Sequence, residues 1–281
     1  MKTGLAIAGV VVLAIGGAGY LAVSGFMNQA AWARDTFASG GALLADMSGQ
    51  GGATKLASRL NLTQDQRSQI KTIMAEERPA VAPLVRDLKS TWMGVQASTN
   101  TGSADPQALR SQILGEKPVL VDLIVQGVKT KATIYNTVLR PDQQQRAQSM
   151  MSDIGPRMDE RIDRIPTMAD RFVSLASWKL NLTDDQQQQI RTLIDGAVQK
   201  DMPLIKQFAK ERKALADATA GGKYDEPTVT ALAQAPAATA TELAADAAVT
   251  KNSVFAVLTP DQRERIIALQ AKRRARREEG I

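Results

Sequence analysis

Leu60-Asn61-Leu62-Thr63-Gln64-Asp65-Gln66 returns 120 residues later as Leu180-Asn181-Leu182-Thr183-Asp184-Asp185-Gln186. In each stretch a Thr is followed three residues on by a Gln, the spacing of a capping box. The hydroxyl accepts from an otherwise unpaired N–H of the first helical turn, and the Gln side chain returns to the N–H of the cap itself. A helix is therefore predicted to start at each site. Behind Thr63 the residues Ile70, Ile73, Met74, Val81, Leu84, Val85, Leu88, Trp92 and Val95 recur at steps of three and four, the apolar stripe of one long helix. Pro79 and Pro83 are expected to bend or break that helix near its middle, and Pro203 its counterpart.

The recurrence extends well beyond the heptapeptide. At the same offset Gln69-Ile70 matches Gln189-Ile190, Pro83-Leu84 matches Pro203-Leu204, Gly102 and Asp105 match Gly222 and Asp225, and Thr130-Lys131 matches Thr250-Lys251. After a slip of one residue, Leu139-Arg140-Pro141-Asp142-Gln143 aligns with Leu258-Thr259-Pro260-Asp261-Gln262. The chain is a duplication of one helical module. Within a copy, Asp105-Pro106 reads as a cap and first-turn Pro opening a second long helix, predicted unbroken to about Leu139. Pro141 then starts a last helix through Met150 and Met151. Thr259 caps the matching helix of copy two, whereas Arg140 stands in the capping place of copy one, so that start is predicted to be weaker by about 1 kcal/mol.

Composition agrees with an all-α fold. The 281 residues are 44% apolar but only 4% aromatic, which leaves the core to Leu, Ile, Val, Met and Ala. There is no His and no Cys. Ser-His-Asp and Cys-His nucleophiles, thiolate or imidazole zinc sites, and haem or iron–sulfur ligation through those residues are excluded, and no metal or cofactor is expected. A disulfide is impossible, so the fold must hold by packing.

Lys2 precedes an uncharged run from Gly4 to Phe26, with Ala31-Trp32-Ala33 just before the first later charge, Arg34. This is an export signal, either cleaved after that small-residue site or retained as an inner-membrane anchor, since as a helix the run is ~35 Å long. The remainder is then periplasmic. The boundaries read as 1–33 signal or anchor, 34–54 flexible linker, 55–155 first module, 156–171 link between modules, and 172–281 second module with a basic tail. Of the net charge of +6, much lies in Lys272 to Arg277. That run has no interleaved aromatics for stacking on bases and reads as a solvated helix end, so nucleic acid is not an expected partner.

Leu-Thr-x-x-Gln occurs in full at Leu62-Thr63 with Gln66, Leu182-Thr183 with Gln186, and Leu258-Thr259 with Gln262, and in altered form at Leu139, Pro141 and Gln143. Placed at the first helix start and near the last in each copy, the motif resembles that of the Spy/CpxP family. The resemblance implies long bent α-hairpins that pair into a cradle, and an ATP-independent chaperone or a modulator of an envelope-stress kinase. The metal-responsive relatives use His, Cys or Met ligands, and this chain lacks the first two. It also carries two modules in tandem. A tether of this kind raises the effective concentration of one copy about the other to the millimolar range, which favours a single-chain, monomeric pseudo-dimer.

Two functional readings follow. The first is a holder of unfolded or partly folded clients, attracted by cationic side chains on the cradle, with Arg86, Lys89, Lys129, Lys131, Lys206, Lys210 and Lys251 as candidates beside Arg212 and Lys213. The second is an anchored regulator that binds a sensor kinase's periplasmic domain. The carboxylate clusters Glu76-Glu77, Asp159-Glu160 with Asp163, and Asp184-Asp185 sit among basic residues and read as solvated helix surface. An enzyme is not expected. The motif residues themselves are expected to serve the fold as helix caps.

Overall fold

Thr63 opens the first helix as its spacing requires: its hydroxyl accepts from the Gln66 N–H at 3.2 Å and the Gln66 side chain takes the Thr63 N–H at 3.0 Å. The structure, a computed structural model, describes residues 60–152 and 162–268. The expectations for residues 1–33 and 34–54, for the first part of the link and for Lys272 to Arg277 lie outside the described residues.

Among the described residues every regular element is helical. Copy one contributes α1 (Gln64–Thr99), α2 (Pro106–Leu114), α3 (Lys117–Thr137) and α4 (Pro141–Ser152). Copy two contributes α5 (Ile165–Leu180), α6 (Asp184–Ala218), α7 (Glu226–Val257) and α8, residues 260–268. A single 3₁₀ turn, Ala220–Gly222, joins α6 to α7. No helix among the described residues is long and apolar enough to cross a membrane.

One expectation needs adjustment, that of an unbroken second helix in copy one. The prolines bend α1 and α6 without breaking them, and both helices run on for 36 and 35 residues. Pro79, Pro83 and Pro203 all lie on exposed positions, where water can take the carbonyl that the missing N–H leaves unpaired. The second long helix of copy one is not continuous but divides into α2 and α3 at Gly115-Glu116. Pro118 cannot donate to the carbonyl of Leu114, and Gly115 is a poor helix former beside it. Copy two has Ala235 and Ala238 at the equivalent places, and α7 stays unbroken through Pro236. In the described part of the link, the residues from Ile165 onward belong to α5, with Ile162, Ile165, Ala169 and Val173 buried against the core.

The two copies form one body. A single apolar core takes Val81, Leu120, Val121 and Val125 from copy one and Val173, Ile190, Ile194, Leu243 and Phe255 from copy two. A second cluster joins Val95, Leu109 and Ile113 to Ala244, Ala245 and Ala248 across the same junction. α7 lies at the centre, packed on α6 of its own copy and on α1, α2 and α3 of the other. It is buried on most of its circumference, and its many alanines let neighbours approach closely.

The hairpin tips cross over. Gly102, at φ 70°, lies so close to the end of α7 that a Cβ there would stand 2.6 Å from the Ala256 nitrogen. Its repeat partner Gly222, at φ 75°, packs against the end of α3, where a Cβ would meet the Asn136 Oδ1 at 2.5 Å. Each copy's tip thus docks on the other copy's base, the antiparallel arrangement of a dimer made within one chain.

Candidate functional site

In each module the motif glutamines meet. Gln66 Nε2 donates to Gln143 Oε1 at 2.7 Å and to the Val138 carbonyl at 2.8 Å. In return Gln143 Nε2 donates to Gln66 Oε1 at 3.0 Å and to the carbonyls of Leu60 and Asn61 at 3.0 and 3.2 Å. The two oxygens also accept the N–H groups of Thr63 and Arg140. Both side chains are buried, and every donor is used. Gln186 and Gln262 repeat the clasp at 3.0 and 3.1 Å, reaching Val257 and Leu180. A glutamine suits this position because it offers two donors and an acceptor on one rigid plane, whereas a carboxylate has no donor at all.

Asn61 and Asn181 complete the clasp by turning the chain. Both adopt left-handed backbone, φ 50° and 51°, which Asn tolerates better than most residues. Asn181 ends α5, and the turn points the carbonyls of Leu180 and Asn181 at Gln262. Of the remaining motif residues, Leu182 and Leu258 are buried, Leu62 packs beside Ile70 and Met74, and Leu139 offers its carbonyl to Gln144. Pro141 is the first residue of α4. Thr259 makes the full capping box with Gln262, and Arg140 keeps only the half made by its backbone N–H. The sequence flagged the caps but not the clasp; the Asn preceding the first motif of each copy, Asn61 and Asn181, was the available signal.

The cationic candidates divide by environment. Arg86 and Lys89 on α1 and Lys206 and Lys210 on α6 are exposed, and Arg86 and Lys206 are repeat equivalents. Lys213 is exposed and paired with Asp217 at 2.5 Å. Lys129 pairs with Glu77 at 3.3 Å. Lys131 is half-buried, and burial lowers the affinity of its amine for a proton; burial acts in the same direction on Arg212, which lies over the Phe208 ring. Lys251 is engaged at the junction of the copies, donating to Thr99 Oγ1 and Asn100 Oδ1 at 2.8 Å each. Near it Asn252 takes both the N–H and the carbonyl of Ala104, and Arg263 reaches the Thr101 carbonyl at 2.6 Å.

A charged cluster missed in the sequence also spans the junction. Arg110 of α2 pairs with Glu242 at 2.5 Å and with Asp246, both on α7. Lys200 of α6 reaches the same Asp246 at 2.7 Å. Beside it Asp201 is 2% exposed, and its Oδ1 has no hydrogen-bond partner. Burial, reinforced by the Asp246 charge, pushes Asp201 up to about 7. Among the described residues no group of acidic side chains is arranged to hold a metal ion.

Paired modules, each closed by a motif clasp, define an all-helical protein with a duplicated architecture. The chain belongs to the LTXXQ motif family, that of the Spy/CpxP-like proteins, whose model matches it twice, over residues 48–151 and 171–270. Proteins of this family are generally periplasmic and associated with stress. No curated protein and no solved structure matches the chain.

Proposed function

We propose that this protein is an ATP-independent periplasmic chaperone that holds unfolded or partly folded envelope proteins and prevents their aggregation, by binding and not by catalysis. The observation that carries this reading is the placing of exposed Arg86, Lys89, Lys206 and Lys210 on the two longest helices, beside half-buried Leu84, Val85, Leu88, Met202 and Leu204. Exposed cations draw in an unfolded chain electrostatically, and adjacent apolar side chains hold it loosely. No nucleotide, metal or nucleic acid takes part. The test is light scattering from a reduced, aggregating model client without ATP. Stoichiometric protein is expected to suppress it, and replacing the four cations by Glu is expected to weaken suppression at unchanged thermal stability. Equal suppression by that variant sinks the assignment of these residues.

A second reading rests on the uncharged run Gly4 to Phe26. Retained as an inner-membrane anchor, it would hold the modules beside a sensor kinase as a regulator of envelope or metal stress. Intact Met1 in the membrane fraction supports this reading, whereas a soluble form beginning near Arg34 supports a freely diffusing chaperone.

A further inference from the structure

The junction cluster is out of balance by one charge. Arg110 and Lys200 supply two positive charges, and Glu242, Asp246 and Asp201 supply three carboxyls. Glu242 is partly solvated, but Asp246 and Asp201 are 5% and 2% exposed. Asp201 lies beside Asp246 in this cluster, and two buried carboxylates so close repel unless one of them keeps a proton. Arg110 and Lys200 both turn to Asp246, which leaves Asp201 as the carboxyl that retains the proton.

We propose that Asp201 keeps a proton that it donates to Asp246, and that this proton is a latch on the junction between the two copies, closed while it is held and released when it is lost. The site spans three helices: α6 carries Lys200 and Asp201, α7 carries Glu242 and Asp246, and α2 brings Arg110 from the other copy. Asp246 lies among Ala244, Ala245 and Ala248, which pack on Val95, Leu109 and Ile113. Loss of the proton leaves two neighbouring buried carboxylates and loads this contact directly.

Two further facts sharpen the inference. With no His and no Cys in the chain, no side chain of ordinary acidity titrates between pH 5 and 8. Any side-chain titration there must come from a displaced group such as Asp201. The repeat also supplies its own reference, for the equivalents of Asp201 and Asp246 in copy one are Val81, 2% exposed, and Gln126. The position itself accepts an apolar side chain. Because the folded chain binds this proton more tightly than the unfolded chain, the stability it supplies is complete below the ordinary carboxyl range. It is lost as pH rises from there through about 7.

Thermal unfolding of the full chain from pH 5 to 8 tests the latch. The midpoint is expected to fall over that range by on the order of 5 °C. Asp201→Asn and Asp201→Val are expected to flatten the profile, with Asp201→Val the more stable protein at pH 8. Amide exchange in α2 and α7, corrected for its intrinsic pH dependence, should quicken above neutrality in the unsubstituted protein only. Infrared difference spectra need no variant: a protonated-carboxyl stretch at pH 6 that bleaches by pH 8 is expected. Parallel profiles for all three proteins, or no such band at pH 6, overturn the proposal.

Discussion

Gln66 and Gln143, 77 residues apart in the chain, exchange two side-chain amide hydrogen bonds of 2.7 and 3.0 Å. Each glutamine also caps its own helix start, so one amide plane serves a local and a long-range purpose at once. The clasp ties the start of a module's first helix to the start of its last, and Gln186 with Gln262 does the same in copy two. The motif therefore recurs within a module because the clasp needs two of them.

Removing one partner strands the other. Gln66→Ala and Gln143→Ala should each destabilise by roughly 2–3 kcal/mol, since several buried polar groups lose their partners. The double variant should cost much less than the sum, because the second loss removes a group already stranded. Urea titrations of the four proteins measure the coupling; additive losses show that the two amides do not act as a pair.

Arg140→Thr should stabilise the chain. It restores the hydroxyl that Thr259 already supplies in copy two, adding ~0.5–1 kcal/mol at the start of α4. The lost exposed pair of Arg140 with Asp142, 3.3 Å apart, offsets little of that. Denaturant midpoints decide the sign, and an unchanged or lower value contradicts the expectation.

Glycine replacement should separate tip docking from helix propensity. Gly102→Ala and Gly222→Ala place a Cβ against the other copy at positive φ and should each cost more than ~2 kcal/mol. Gly196→Ala, in α6 with nothing within 4 Å of the added carbon, should instead gain about 0.5–1 kcal/mol. Similar shifts at all three positions in thermal melts rule out crossed tips.

In solution the chain should be a monomer. The apolar surface that a single module leaves unpaired is covered by the other copy, and a tethered partner outcompetes one in dilution. Sedimentation across a hundredfold concentration range should give the mass of one chain throughout. A stable mass of two chains shows that pairing occurs between molecules.

What the sequence determined alone was whatever depends on neighbours along the chain. The Thr63 and Thr183 boxes, the Asp105 and Asp225 caps and the apolar stripes are relations of two to four residues, and they place the helix starts and reveal the duplication. Tertiary structure decided whatever depends on which surfaces meet. The glutamine clasp joins residues more than 70 apart, and the exchange of tips and the commitment of Lys251 to the junction have no local signature. The Gly115 break was hidden because one apolar spacing continues across α2 and α3. Asp201 looked like any charged residue of a solvated helix. Only its packing beneath α7, beside Asp246 and out of reach of water, turns an ordinary carboxyl into one that keeps its proton near neutrality.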